Sequence, residues 1–448
     1  MDRIEEKILA IIDEHADEIK AFGRDIWTHA ELGYREKRTS EKAVSMLKKY
    51  GVDAKTGLAI TGFKGYLNNK KAEGPTVAIV GELDALPIAD NKDSNPETGA
   101  AHCCGHNAQL TGVIGAVMAL SDPEVSEALG GNLAIIGAPA EEFVETAFRQ
   151  GLIEKGVISY GGGKCQLIKE GAFSDVDVCV GHHSSNSPAE LQVSNGSTNC
   201  HINKMVTFHG VSAHAAGSPE RGVDAQAAVN VTQYAVDVQR ETFRDKDTVR
   251  VHSFVSAGAN AVNVIADKMT MEFSVRGKNI PALLNANAKV DRAIRAACVA
   301  TGCGVDNITM PGYMPTVPCH DVSITREALE EVSQGKYKIE ESNGHGTGTT
   351  DFGDVSCIMP LLQFNTGGYG GHMHNPNVSV DDEDLAYVVT AKVFALMAYK
   401  LLKNGGEKAK EIKAGYKAPM TEAEYVALMD SIKNTEHIDI NALPVLEG

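Results

Sequence analysis

Residues 76–84 read TVAIVGELD. Valine, alanine and isoleucine run on without alternation, and two acids follow at once. A strand with one wet face alternates apolar and polar side chains. One covered on both faces does not, and such continuous runs belong to parallel sheets wrapped by helices. The rhythm returns at NLAIIG (132–137), DVCVG (177–181) and LLQFN (361–365), with helical stretches such as AQLTGVIGAVMAL (108–120) between them. This predicts an α/β fold built on a largely parallel sheet. Every run also ends in chemistry: ELD (82–84), APAEE (138–142), HHSS (182–185) and NTGGYGGHMHN (365–375). Open α/β sheets carry their ligands beyond the carboxyl ends of the strands, so these four endings predict one crevice.

Upstream, Ile4, Ile8, Ile11, His15, Ile19, Phe22 and Ile26 repeat at helical spacing, which predicts one long amphipathic helix over 2–29. A second helix is expected over 40–50, with Thr39 as N-cap and Gly51 as its stop. Downstream the rhythm changes. Strand 200–209, helix 222–240, strands 248–256 and 267–276, helix 281–300 and strand 303–310 spell βαββαβ, a ferredoxin-like α+β unit. The first sheet resumes afterwards. The expected division is therefore a discontinuous domain over 1–194 and 311–448, with 195–310 inserted into it. The tail beyond about residue 404 is charged and helical in pattern.

At 448 residues the chain can bury two cores. Its net charge of −17 opposes a nucleic-acid partner, since phosphate binding needs a basic footprint. No unbroken apolar run approaches the roughly 18–20 residues that cross a bilayer, so no membrane partner is expected. The opening MDRIEEKILAIIDEHADEIK is too acidic for a signal or transit peptide. Nine cysteines, an odd number without CxxC spacing, indicate a reducing, cytoplasmic setting rather than a disulfide framework.

HCCGHN (102–107) then becomes informative. Cys104 and His106 lie two residues apart, Glu141 and Glu142 are adjacent, and His183 or His182 ends a strand. His372 and His374 share a glycine-rich loop. Taken singly, each is bland: a core cysteine, a solvated EE pair, a surface HMH. Their convergence at strand ends is the signal. A thiolate, imidazoles and a carboxylate suit zinc and tolerate manganese, cobalt or nickel. The donors exceed one closed shell, and two ions sharing a bridging ligand, about 3.5–4 Å apart, use them better. Neighbouring side chains diverge, so one glutamate can hold metal while the other takes a proton from water. A zinc knuckle would need a second cysteine pair, and the H-x-E and P-C-x-x-C signature of zinc deaminases is missing.

CGHN (104–107), PAEE (139–142), GGGKCQLIKEGAFSDVDVCVGHH (161–183), GVSAHAAGSPERGVDA (210–225), NAVNVIADK (260–268) and TTDFGDVS (349–356) resemble the dinuclear-metal amidohydrolases. That family includes aminoacylase, hippurate hydrolase, auxin-conjugate hydrolases and carboxypeptidase G. The aminobenzoyl-glutamate hydrolase branch is most similar, sharing asparagine after CGH. The resemblance implies a metallopeptidase catalytic domain with an inserted lid that also dimerises. It implies two divalent ions, zinc or manganese first and cobalt or nickel next. Cys104 would bridge them, with His106, Glu142, His183 and His374 completing the shells. Glu141 would be the general base, and Asp84 would orient a ligand. His214 would stabilise the oxyanion, reaching into the partner subunit's site. Asn263 and Arg276 would hold substrate, Arg276 through a carboxylate. The implied substrate is a small N-acyl amino acid, an aminobenzoyl-glutamate-like conjugate or a dipeptide, and the implied state a homodimer. A catalytically silent metal-binding relative is the alternative, opposed by the intact Glu141 and His214. One departure stands out: FVETAFRQGLIEKGVISY (143–160) is extra to the pattern and is expected to line or lid the pocket.

Overall fold

The computed structural model describes residues 1–68, 73–187, 189–259 and 261–439, so Asn260, the first residue of the NAVNVIADK motif, lies outside the described residues. The N-terminal periodicity forms helix in two pieces rather than one. α1 (Arg3–Glu14) and α2 (Ala16–Thr28) meet at His15, whose backbone (φ −91°, ψ 6°) leaves helical geometry and whose ring packs edge-on against Tyr50. α3 (Lys37–Lys49) begins earlier than expected, with Glu36 rather than Thr39 at its N-cap. The Glu31 carboxylate accepts from the Arg38 and Thr39 N–H groups at 3.1 and 2.8 Å, serving first-turn donors that a capping side chain would otherwise satisfy.

An antiparallel edge follows, β1 (Ala54–Leu58) with β2 (Gly62–Tyr66). Then come β3 (Thr76–Glu82), α4 (His106–Leu120) and β4 (Asn132–Ala138). The chain continues through α5 (Thr146–Glu154), α6 (Gly163–Lys169), β5 (Val178–Ser184) and β6 (Leu191–Ser194). All residues of β3 and β4 are buried, as their unbroken apolar runs require. α4 is buried on every side, so it is a core helix rather than a surface one.

The inserted region runs β7 (Cys200–His209), α7 (Ala225–Asp237), β8 (Arg250–Ala257), β9 (Lys268–Gly277), α8 (Ile280–Thr301) and β10 (Gly304–Pro311). This is the expected βαββαβ order. The first body resumes with β11 (Ile339–Ser342), α9 (Phe352–Ile358), β12 (Leu361–Thr366) and α10 (Thr390–Gly415). The tail adds α11 (Glu422–Ile432) and β13 (Asn434–Ile438).

The large sheet has the order β1-β2-β4-β3-β5-β12-β6-β11, and its centre is parallel. The fold is thus mixed α/β with a largely parallel sheet. The second sheet, β8-β9-β7-β10-β13, is antiparallel throughout. Its last strand corrects the expected division: residues 434–438 leave the first body and extend the inserted sheet beside β10. The helical stretch Asp384–Gly415 is long and apolar enough to cross a bilayer, which inspection for unbroken apolar runs does not reveal. Its apolar window is 94 % buried, and it packs on α4 and α1 as part of the core.

Candidate metal centre

Cys104 and His106 flank Gly105, the residue that opens α4 in a left-handed conformation (φ +83°). A Cβ there would overlap the Ser184 side chain at the end of β5, so glycine is required by both backbone and space. The turn delivers the Cys104 sulfur to 3.3 Å from His183 Nε2 and 3.2 Å from His374 Nε2. His374 Nε2 is also 3.3 Å from Glu142 Oε1. Two donor sets result, Cys104–His106–His183 and Cys104–Glu142–His374, each with donor atoms within 4.8 Å of one another. Cys104 belongs to both. Among the described residues His106 Nε2 and Glu142 Oε1 are buried with no hydrogen bond of acceptable geometry; each instead lies against another candidate donor, Glu82 Oε2 at 3.1 Å and His374 Nε2 at 3.3 Å, a crowding that bound cations would relieve. Donor chemistry and crowding both fit divalent metal.

The choice between paired histidines follows from the surroundings. His182 Nε2 bonds to Thr366 Oγ1 at 2.7 Å and its ring packs against the Phe364 and Phe394 rings, a core position. His372 is exposed and belongs to neither donor set.

Asp84 ties two candidate ligands together. Its Oδ1 and its carbonyl oxygen lie 3.2 and 3.0 Å from His106 Nδ1, and its Oδ2 accepts from the Glu142 N–H at 2.9 Å. Burial pushes its pKa up, but these hydrogen bonds and the His106 charge outweigh it and hold the carboxyl below its usual range. Arg149, buried in α5, donates to the carbonyls of Ala140, Glu142, Val144 and Gly161. Residues 143–160 therefore brace the Glu141–Glu142 loop from behind, while Phe143 and Val144 line the cavity in front.

Beneath His106 lies a charge chain that sequence reasoning missed. Glu82 Oε2 sits 3.1 Å from His106 Nε2 and accepts from Gln109 Nε2 at 3.1 Å. Lys164 Nζ bridges Glu82 and Asp351, the latter at 2.5 Å. Burial pushes the Lys164 pKa down, but Asp351 and Glu82 outweigh it and raise it above the usual lysine value. Gly163 permits this approach, because a Cβ there would collide with the Pro139 carbonyl.

Glu141 is in neither Cys104 set, though its carboxylate also clusters with His106 and Glu142, and with Glu82 and Asp351. It lies 3.8 Å from His106 Nε2, and the Tyr313 hydroxyl donates to its backbone carbonyl. Burial, and then the charges of Glu82 and Glu142, push its carboxyl well above the usual range. It faces a cavity of about 450 Å³ between the strand ends of the large sheet and one face of β7 and β9. Arg276 lines the same cavity and donates to Ser274 Oγ at 3.3 Å. His201, opposite Arg276 in register, is pushed down to about 3 by burial and is neutral. It accepts from the Tyr313 N–H on Nδ1 at 3.2 Å, which leaves Nε2 as the N–H donor.

The sequence of this chain from residue 78 to residue 400 matches the profile of peptidase family M20/M25/M40. The chain belongs to the M20 peptidase family. Its relatives include the Xaa-Arg dipeptidase of Mus musculus, 27 % identical over 78 % of this chain and 76 % of that one. One of the subunits of the p-aminobenzoyl-glutamate hydrolase of Escherichia coli is 26 % identical over 62 % of this chain and 54 % of its own. Among solved structures, a dinuclear metal-binding M20 peptidase of Bacillus subtilis superposes with a TM-score of 0.60 at 20 % identity, covering 87 % of this chain and 99 % of that one. This M20 protein is accordingly a metal-dependent amide or peptide hydrolase.

Two expected site residues of the M20 chain stand apart. His214 and Asn263 are exposed, neighbours through the Ala215 N–H to Asn263 carbonyl bond at 3.0 Å, and neither lines the cavity. His214 Nδ1 accepts from the Ala216 and Gly217 N–H groups at 3.2 and 2.9 Å, which leaves Nε2 as the protonated, outward nitrogen. Of the residues not assigned a role from sequence, Glu82 stands in the strand-end ELD, where Asp84 took the role, while Lys164 and Asp351 lie inside motifs where an isolated charge reads as surface. His201 and Asn203 sit in a strand whose alternation shows that they share a face, but not what the face meets.

Proposed function

We propose that this M20 peptidase cleaves the amide bond of a small N-acyl amino acid, an aminobenzoyl-glutamate-like conjugate or a dipeptide, with Glu141 as general base. The observation that carries the reading is the pair of donor sets sharing Cys104 at the edge of a cavity faced by the buried Glu141, which belongs to neither set. Cys104, His106, His183, Glu142 and His374 would hold two divalent ions, zinc or manganese first, cobalt or nickel next, with Cys104 common to the Cys104–His106–His183 and Cys104–Glu142–His374 sets. When bound, such a pair polarises the scissile carbonyl and makes water acidic enough to react near neutral pH.

The side chains do the rest. Glu141 takes a proton from the attacking water and returns it to the leaving amine nitrogen, a task suited to a carboxyl whose proton affinity burial has raised. Asp84 fixes the His106 ring and the Glu142 backbone. Arg276 and His201 offer N–H donors to the carboxylate of the amino-acid half. His214, exposed and outside the lining of its own cavity, presents its Nε2–H to the oxyanion in the site of a second copy, with Asn263 beside it. The enzyme works as a cytoplasmic homodimer whose inserted region acts as lid and interface, in keeping with its nine free cysteines. The names of the mouse and E. coli relatives support dipeptides and aryl-amide conjugates as the substrates to try.

The test is a panel of amides and dipeptides on metal-quantified enzyme beside Glu141→Gln. The variant is expected to keep its metal and lose about 10²–10⁴-fold in kcat. Unchanged turnover would remove Glu141 from the mechanism. A monomer in light scattering with full activity would remove the cross-subunit role of His214.

A further inference from the structure

Period-two alternation places Glu272, Ser274 and Arg276 of β9 on one face, beside His201 and Asn203 of β7 and His252 and Phe254 of β8. The two ends of this face differ in chemistry. Arg276 and His201 form a donor end. Glu272 and Asn203 form an acceptor end, and among the described residues no protein donor reaches the Glu272 carboxylate or Asn203 Oδ1. Asn203 is 7 % exposed.

These acceptors open onto a second cavity of about 220 Å³, which shares Phe143, Val144, Asn203 and Ser274 with the metal-centre cavity. Phe143, Val144 and Phe254 supply apolar wall. Glu145 also reaches the space, but its carboxylate is held by Arg35 at 2.7 and 3.1 Å. A carboxylate and an amide oxygen beside aromatic faces suit an occupant with a positive charge, N–H donors and an apolar stem.

We propose that this second cavity is the subsite for a cationic side chain on the amino-acid half of the substrate, lysine-, ornithine- or arginine-like, and that Glu272 sets the preference. The proposal rests on the amidohydrolase reading and on Arg276 as the carboxylate anchor. Four residue steps of strand lead from Glu272 to Arg276, about 13 Å between Cα atoms. Arg276 leans back along the strand through its bond to Ser274. The guanidinium is thereby drawn toward Glu272, which shortens the span that a side chain held by its carboxylate at Arg276 has to cover. A shorter or neutral side chain leaves Glu272 and Asn203 unmet, and a site built to receive hydrogen bonds discriminates against a ligand that lacks them.

The experiment compares N-benzoyl-lysine, its isostere N-benzoyl-norleucine and N-benzoyl-glutamate on the full-length, metal-loaded enzyme. The ratio of kcat/KM for lysine over norleucine cancels any general damage in a variant. It is expected to exceed about tenfold in the parent enzyme and to approach one in Glu272→Gln, mainly through KM, with Glu272→Lys turning the preference toward glutamate. A parent ratio near one, or a ratio that Glu272→Gln leaves unchanged, overturns the subsite while leaving the amidohydrolase reading intact. Failure to cleave any of the three overturns the subsite, and failure across the panel of amides and dipeptides as well overturns the amidohydrolase reading.

Discussion

Lys164 and Lys204 are both wholly shielded from solvent, one under the strand ends of the large sheet and one in the inserted sheet, and they are held in opposite ways. Lys164 is clamped between two buried carboxylates, Glu82 and Asp351, which raise its pKa against the effect of burial. Lys204, in β7, meets Asp291 at 2.8 Å and Thr309 Oγ1 at 2.5 Å; burial dominates there and lowers its pKa. Asp291 keeps 17 % of its side chain in solvent, so it can lose its partner and remain hydrated. The first body stores uncompensated charge beneath its metal donors and needs every member. The inserted sheet uses its buried lysine as packing and presents its working charges on the opposite face.

The largest expected effect follows directly. Lys164→Met leaves Glu82 and Asp351 facing each other in the dry interior and is expected to cost about 3–5 kcal/mol of stability, whereas Lys204→Met should change it by less than about 1 kcal/mol. Denaturant unfolding of both variants measures the difference. Equal losses would erase the distinction between the two bodies.

A second contrast concerns rate against affinity. Side chains at the strand ends act where bonds change and should move kcat. The face of β7 and β9 holds parts of the substrate that do not react and should move KM. Arg276→Ala is expected to raise KM about 10–100-fold for a substrate with a free carboxylate, with kcat changed little, because that carboxylate is gripped alike before and during reaction. A loss in kcat at constant KM would place Arg276 among the reacting groups.

The same contrast explains what the sequence made legible. Glu141, Glu142 and His183 are readable because each follows or ends an unbroken apolar run, and the end of such a run in a parallel sheet is a position as well as a pattern; Cys104 and His106 are readable from their spacing at the start of the apolar helix α4. The working face of the inserted sheet hides in ordinary alternation. Strand 267–276 shows that Glu272, Ser274 and Arg276 point one way, but only the packing of β9 above the Glu141–Glu142 loop shows where. Lys164 is hidden for another reason: one lysine in GGGK looks solvated until Glu82 and Asp351, 82 residues before it and 187 after it, are found on either side. The tail gives no hint of β13, since NTEHI lacks the apolar character of a strand. Its place is earned by pairing with an open edge. The break at His15 is likewise tertiary, because the helical spacing continues through it unbroken.

The smallest expected effect lies where the two bodies are strapped together. α11 leads from the large sheet to β13, and its buried Tyr425 donates to Asp354 Oδ1 at 2.8 Å. Asp354 also accepts from the Met314 N–H at 3.3 Å. Burial raises its carboxyl to about 8, with Asp351 adding to the shift and the hydrogen bonds from Tyr425 and Met314 opposing it. At neutral pH the folded protein therefore keeps a proton that the unfolded chain, with an aspartate near 3.9, has released. The sign follows: stability from this group is fully present below the unfolded value and is lost as pH rises through about 8. Asp354→Asn carries a neutral amide at every pH. Its Tm relative to the parent should climb steadily between about pH 4 and 9, by a few degrees at most after its altered hydrogen bonding is included. Hydrogen exchange at α11 and β13 should quicken with pH in the parent more than in the variant, beyond the intrinsic base-catalysed rise common to both. A Tm difference constant across this range would mean that the strap is anchored by packing around Tyr425 alone, with the two bodies joined by a contact indifferent to the charge chain that ends at Asp351.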